Sequence, residues 1–331
     1  MIKIAHLVDD TTAGGVTRYL AFLQDTPALT THMEHQVVVV PRNRPSGVPD
    51  DVDMIVSHLS VSWSGLPGLI ALRARYSSVP MVHVEHSYSE AFSAINVTAR
   101  GRFHRLLRTA YALFDRVVAV SEAQAAWMAR NDLVRRHMLD VITPMTDLGG
   151  LATVVAPLGP IRHFGAVGRF DQQKGFDILI QAFRAVDDPH LTLTLFGEGE
   201  ERGHLEHLAD GDARIRFAGF AANPAEAYGS CDVILMPSRW EPYGLVAIEA
   251  NVAGRVVVMS AVDGLRDQSA RGNVVVSDHC CEGWQDALSS IALSPAQTVD
   301  RPVPASLADA NIGAWSALCD KVLTHTRKMS A

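Results

Sequence analysis

Apolar residues in this chain come in short unbroken runs, separated by longer stretches in which apolar positions recur at helical spacing. Runs of about four to eight residues bounded by turn formers mark strands buried on both faces, and their alternation with helices marks parallel sheets. The runs predict strands at 3–8, 36–40, 53–57, 81–84 and 116–120 in the first half, and at 163–168, 191–196, 214–218, 233–236, 256–259 and 273–276 in the second. Helices are expected from the Ala13-Gly14-Gly15-Val16 turn through Leu23, over 176–186, from Gly244 onward and over 307–328. Another lies within 98–114, where Phe103, Leu106, Leu107, Ala110, Tyr111 and Phe114 oppose Arg100, Arg102, Arg105 and Arg108.

The pattern breaks at 144–160, where Gly149-Gly150 and three prolines interrupt any periodicity. This predicts a Rossmann-like domain at 1–150, a second at 151–306, and a terminal helix at 307–331 expected to pack back on the N-terminal domain. At 331 residues, 48% hydrophobic and 20% charged, the chain can bury two cores. Its net charge of -7 argues against general nucleic-acid affinity. No apolar run approaches a membrane span, and the first strand is too short for a signal peptide. The four cysteines lack zinc-ligand spacing, so the expected setting is a reducing cytoplasm.

Candidate chemistry gathers where strands are expected to end. After the run 232–237 comes Ser238-Arg239-Trp240-Glu241-Pro242-Tyr243-Gly244-Leu245-Val246, and Glu249 follows within the predicted helix. Unpaired N–H groups at Gly244, Leu245 and Val246 suit a phosphate, and Glu241 and Glu249 can border a sugar phosphate there. Arg169 and Lys174 follow an earlier strand and can converge on one anion, a diphosphate being the natural choice. Gly197-Glu198-Gly199 reads either as an ordinary turn or as part of a nucleotide pocket. Gly14 and Gly15 allow close backbone approach to an oxyanion. Within His83-Val84-Glu85-His86, strand alternation places His83 and Glu85 on one face and His86 on the other or beyond the strand. With an unperturbed pKa of about 6.5, His86 can serve as acid, base or hydrogen-bond donor. Asp51-Val52-Asp53 precedes its strand and reads as a turn.

Taken together, Gly168-Arg169-Phe170 with Lys174-Gly175, Phe196-Gly197-Glu198-Gly199, and Glu241 through Glu249 resemble the retaining GT-B glycosyltransferases of family four. The first half matches more loosely, through Gly14-Gly15, Glu85-His86 and 117–122, and reads Thr143-Pro144-Met145-Thr146-Asp147 where the family often has an Asn-Gly-Val-Asp-like segment. The resemblance implies an α/β GT-B fold, two doubly wound domains facing across a cleft, with acceptor binding in the first and nucleotide-sugar binding in the second. Arg169 and Lys174 would bind the donor diphosphate and Glu249 the ribose. Glu241 would contact the transferred sugar, as nucleophile or as orienting group. Tyr243, Gly244 and Leu245 would supply backbone contacts, with Gly197 and Glu198 on the donor side. His86 would stand near the reacting sugar, and Gly14 and Gly15 near phosphate or acceptor.

The implied reaction is retaining transfer from a UDP- or GDP-sugar to an acceptor hydroxyl, in polysaccharide, glycolipid or glycoconjugate biosynthesis, with no cofactor and no metal. Alternatives are another GT-B activity on sugar nucleotides, epimerase or hydrolase, and a non-catalytic sugar-nucleotide-binding subunit. The acceptor is expected to be an oligosaccharide or lipid-linked sugar. The basic face of the 98–114 helix would then allow peripheral contact with the inner face of a membrane, against the alternative of a core-packed helix with a solvated face.

Overall fold

A computed structural model describes residues 1–12, 14–292, 294–297 and 299–329, with side chains to residue 324. Ala13 of the expected glycine turn and residues 330–331 of the expected tail lie outside the described residues. The chain forms two compact units, residues 1–146 with the tail from Leu307, and residues 147–306.

In the first unit the strands are β1 (Ile2–Val8), β2 (Met33–Val39), β3 (Met54–Ser57), β4 (Met81–Glu85), β5 (Arg116–Ala119) and β6 (Leu139–Val141). They form one parallel sheet ordered β2-β1-β3-β4-β5-β6. The inner strands β3 and β4 are buried throughout, which is why they show as unbroken apolar runs. Edge strand β2 begins at Met33 rather than at the expected 36. Its burial alternates there, so Glu34 faces outward while Met33 and His35 face inward. β6 was not expected, because three half-buried residues at an edge carry almost no apolar signal.

The tail helix, Pro304–Met329, belongs to this unit from Leu307 onward. Trp315 is fully buried and donates its indole N–H to the Tyr19 hydroxyl at 2.6 Å. Asn311 donates to the same hydroxyl and to the Thr143 carbonyl. The arginine-bearing helix runs Arg100–Tyr111, burying Leu106, Leu107, Ala110 and Tyr111.

The second unit contains β7 (His163–Val167), β8 (Thr192–Phe196), β9 (Ile215–Gly219), β10 (Val233–Met236), β11 (Val256–Ser260) and β12 (Val274–Val276). Their parallel order is β12-β11-β10-β7-β8-β9, so the winding reverses between β7 and β10. Such a reversal separates the loops that follow the two strands and opens a crevice at their carboxyl ends. The unit begins before the expected boundary at 151. Gly149-Gly150, read as a break, starts the short helix Gly149–Ala152, which packs on the helices Pro224–Gly229 and Leu245–Val252.

Arg255, 2% exposed, fastens this unit from within. Its guanidinium donates to the carbonyls of Cys231 (2.8 Å), Val155 (2.6 Å), Ala253 (2.6 Å) and Gly229 (3.2 Å). Gly229 and Ala253 stand at helix C-terminal ends, where a cation is favoured. Burial still draws the Arg255 pKa below its ordinary value. Replacing Arg255 by Leu would strand four carbonyls and cost about 3 kcal/mol. The expected result is a lower urea midpoint at unchanged slope, read from tryptophan fluorescence, to which the buried Trp284 of this unit contributes.

Candidate functional site

The loops leaving β7 and β10 meet at the reversal of the second sheet. Gly175 approaches Pro237 so closely that an added Cβ would lie 2.1 Å from its carbonyl oxygen, and Gly175 has φ +66°. Lys174 therefore sits beside the segment after β10, and its ammonium donates to Glu241 Oε2 at 2.5 Å. The stem of Lys174 passes over Gly168, where a side chain would crowd it. Both partners are mostly shielded, at 16% and 10% side-chain exposure, so water screens the pair weakly.

Glu241 is held on three further sides. Ser238 Oγ donates to Oε2 at 3.3 Å, the Glu241 N–H donates to Asp263 Oδ2 at 3.1 Å, and the Gly264 N–H donates to the Glu241 carbonyl at 3.1 Å. Asp263 adopts φ +38°, uncommon for a residue with a side chain, and is 5% exposed. Arg239 clamps the same loop by a two-pronged bond to Asp177, at 2.8 and 2.6 Å. Burial would raise the Asp177 carboxyl, but the bonds and charge of Arg239 outweigh it and hold the pKa below the usual carboxylate value.

Gly244 caps the helix Leu245–Val252 at φ +88°, where a Cβ would also strike Leu265 at 2.5 Å. The first N–H groups of a helix have no intrahelical acceptor. The carbonyls of Tyr243 and Gly244 are tied down by Gln268 Nε2, at 2.7 and 3.1 Å. Leu245 opens the helix, partly exposed. Glu249 is 1% exposed, with Tyr228 donating its hydroxyl to Oε2 at 2.7 Å.

Arg169 projects from the loop after β7 at 63% side-chain exposure, 3.4 Å from Asp171. Gly197 and Gly199 serve packing within the protein. A Cβ on Gly197 would lie 1.8 Å from the Gly168 carbonyl oxygen, and one on Gly199 would lie 2.3 Å from that of Phe170. Glu198 is half exposed and paired with Arg202. The structure thus brings Lys174, Glu241 and the Gly244 turn together, with Arg169 and the Gly197 loop at the neighbouring strand ends. Sequence reading placed Ser238 in the Glu241 stretch without a role and left Asp263 and Gln268 unmarked; the Asp263-Gly264 pair was the one local turn signal available.

In the first unit His83 and Glu85 do share a face, with His83 Nε2 3.3 Å from Glu85 Oε2. Tyr111 donates to Oε2, while the N–H groups of Ser87 and Tyr88 donate to Oε1 at 2.7 and 3.0 Å. Burial would raise the Glu85 carboxyl, yet these bonds keep its pKa below the ordinary value. Glu85 thereby fixes the turn carrying His86, one residue beyond β4.

His86 does not stand alone. His35 Nδ1, on β2, is 2.9 Å from His6 Nε2, on β1. His6 Nδ1 is 2.8 Å from His58 Nε2, just past β3, and His58 Nδ1 is 2.8 Å from His86 Nε2. The rings stack with centroids 5.1 Å apart at each step, and Trp315 meets His6 and His35 edge-on. Burial is the largest cause pushing His35 and His86 down to about 4 and His6 and His58 well below the usual value. The expectation of an ordinary titration near neutral pH at His86 is thus corrected.

Gly14, before the helix Gly15–Asp25, has φ -170° and donates its N–H to Thr17 Oγ1 at 2.9 Å. Asp51 and Asp53 bind the side chain and the backbone N–H of Lys3. Among the described residues no three His, Cys, Asp or Glu side chains group as a metal site.

Residues 161–293 match the family model "Glycosyl transferases group 1", and residues 48–149 match "Glycosyltransferase Family 4". D-inositol 3-phosphate glycosyltransferase of Segniliparus rotundus is 30% identical over 279 residues, 75% of this chain and 61% of that protein. The chain thus spans about three fifths of that relative's length. Sucrose-phosphate synthase of Thermosynechococcus elongatus superposes with a TM-score of 0.68 at 19% identity, covering 100% of this chain and 98% of that one. Anabaena HepE, solved with UDP-glucose, gives 0.64 at 17% identity, covering 99% and 98%.

A histidine kept neutral by burial binds no proton where the unfolded chain does, so stability falls as pH drops from about 6.5 toward 4. Each such histidine contributes up to about 1.4 kcal/mol per pH unit in that interval, and full stability is present above it. Urea midpoints of the first unit, followed by hydrogen exchange at β1 and β4, are expected to fall steadily across it. A flat profile would refute the neutral assignment.

Proposed function

Because the chain belongs to the group 1, family 4 glycosyltransferases of GT-B type, we propose that it moves a sugar from a nucleoside-diphosphate sugar to an acceptor hydroxyl with retention at the anomeric carbon. The observation that carries this reading is the Lys174–Glu241 pair at the β7/β10 reversal, beside the helix start at Gly244. As the bond to the diphosphate breaks, negative charge grows on the leaving group and positive charge on the sugar. Lys174, Arg169 and the N–H groups after Gly244 supply fixed positive charge for the first, and Glu241 negative charge for the second. This arrangement needs no metal or cofactor. Glu249, on the buried face of the same helix, is assigned to the ribose. The structure of HepE with UDP-glucose supports UDP-sugars as the first donors to test. The relatives named for D-inositol 3-phosphate support a phosphorylated polyol among the acceptors.

UDP- and GDP-sugars are tested by thermal shift, where a ligand at a hundred times its dissociation constant stabilises by about 2.7 kcal/mol. The product of the stabilising donor is then examined by NMR for anomeric configuration; inversion would end the assignment. Lys174→Ala and Glu241→Gln are each expected to lower kcat/KM by about a hundredfold or more. Unchanged turnover in both would remove the site. Nucleotide release that is faster without acceptor would instead identify a hydrolase or epimerase, and donor binding without turnover a binding subunit.

No helix among the described residues is long and apolar enough to cross a membrane. Peripheral contact at the inner face of the membrane is supported by Trp63, 47% exposed, with Arg102 stacked over its ring at 5.4 Å. Arg100 and Arg108 of that helix instead donate to the carbonyls of Ala94, Asn131 and Asp132. Cosedimentation with anionic liposomes is expected to weaken in the Trp63→Ala, Arg102→Ala double variant, and binding indifferent to lipid charge would remove the idea.

A further inference from the structure

The chain His35, His6, His58, His86 crosses four adjacent strands diagonally and ends at the carboxyl edge of the first sheet. Each of its three contacts needs one donor and one acceptor. A neutral imidazole carries a single N–H, so all the bonds must point the same way. In one direction every ring donates toward His35, and the last proton lies on His35 Nε2. That atom is buried and has no partner. In the other direction every ring donates toward His86, and the last proton lies on His86 Nδ1, on a ring that is partly exposed. A buried N–H without an acceptor is tolerated less well than a buried lone pair without a donor, so the second direction wins. A cation within the chain would permit other patterns, but burial opposes it at each ring.

We propose that the three imidazoles behind His86 hold its proton on Nδ1, making His86 an obligate hydrogen-bond donor to a ligand oxygen, and that His58, His6 and His35 are positioning residues for it. His86 then acts neither as general base nor as general acid through Nδ1; it offers one directed N–H. The identity of the oxygen, a sugar hydroxyl or a phosphate oxygen, rests on the glycosyl-transfer reading. The position of the proton does not.

The test is two-bond proton–nitrogen correlation of the histidine rings in the full chain, labelled with nitrogen-15, near neutral pH. The wild type is expected to show His86 protonated on Nδ1. His58→Leu removes the donor to Nε2 and should shift His86 toward the Nε2–H form. His58→Asn places an amide N–H where Nδ1–H stood and should restore the wild-type form. His86 protonated on Nε2 in the wild type, or a tautomer unmoved in His58→Leu, would overturn the proposal, and the wild-type spectrum decides even if a variant fails to fold. Adding UDP should shift His86 Nδ1 if the partner is a phosphate oxygen, whereas a shift that requires UDP-glucose assigns it to the sugar; no shift with either removes the ligand contact. In transfer assays His58→Leu should lower kcat about tenfold with the donor KM nearly unchanged, and His58→Asn should recover most of it. Unchanged kcat alongside a changed tautomer would refute the positioning role. The expected tautomer in a protein that transfers no sugar would uphold the proton assignment and defeat the glycosyl-transfer reading.

Discussion

The contact between Lys174 and Glu241 joins the two loops that leave β7 and β10, to which the second unit's proposed chemistry is assigned. Removing both charges from water costs more than their attraction alone readily returns, so the pair persists only because its surroundings are built around it. Ser238 and Asp263 bond Glu241. Gly175 lets the Lys174 loop lie directly against Pro237. The backbone has little freedom to relax at these points, so the ammonium and carboxylate are placed before any ligand arrives. Such preorganisation is what stabilises charge that develops during a reaction.

The first unit follows a different electrostatic logic. Its buried polar line carries direction without charge, because a proton added to any of the four rings would have to be desolvated. Trp315 and Tyr19 help close that line from water, which ties the tail helix to the state of residues on β1 and β2. One unit therefore offers fixed charge and the other a fixed N–H.

Much of this was legible in the sequence, for reasons that differ residue by residue. Strands such as Val233–Met236 are buried on both faces and appear as bare apolar runs; β6, three residues at an edge, does not. The Glu241 turn was legible because Pro242 and Gly244 break the chain locally, between a strand and a helix. Gln268, by contrast, reaches back to the Tyr243 carbonyl across 25 residues, and a side-chain amide that meets a distant carbonyl leaves no local pattern. The histidine chain was illegible for the same reason. Its members are separated by 29, 52 and 28 residues, and each in isolation looks like a polar interruption of a strand or its end. Only the strand order sets them side by side.

The glycines separate demands made by the protein from those left to a ligand. At Gly175, Gly197, Gly199 and Gly244 an atom of the chain itself excludes a side chain. Gly14 is different. Its backbone is extended, a conformation any residue adopts, and the nearest atom to an added Cβ is the Thr12 carbonyl oxygen at 3.8 Å, an ordinary contact. As the residue capping a helix it would be replaced with profit to stability by Ser or Asp, whose side chains bond the first N–H groups. Folding alone therefore gives no reason for glycine at 14. Close approach of a phosphate or acceptor to the backbone would supply one, since a capping side chain would occupy the same N–H groups that an oxyanion would use.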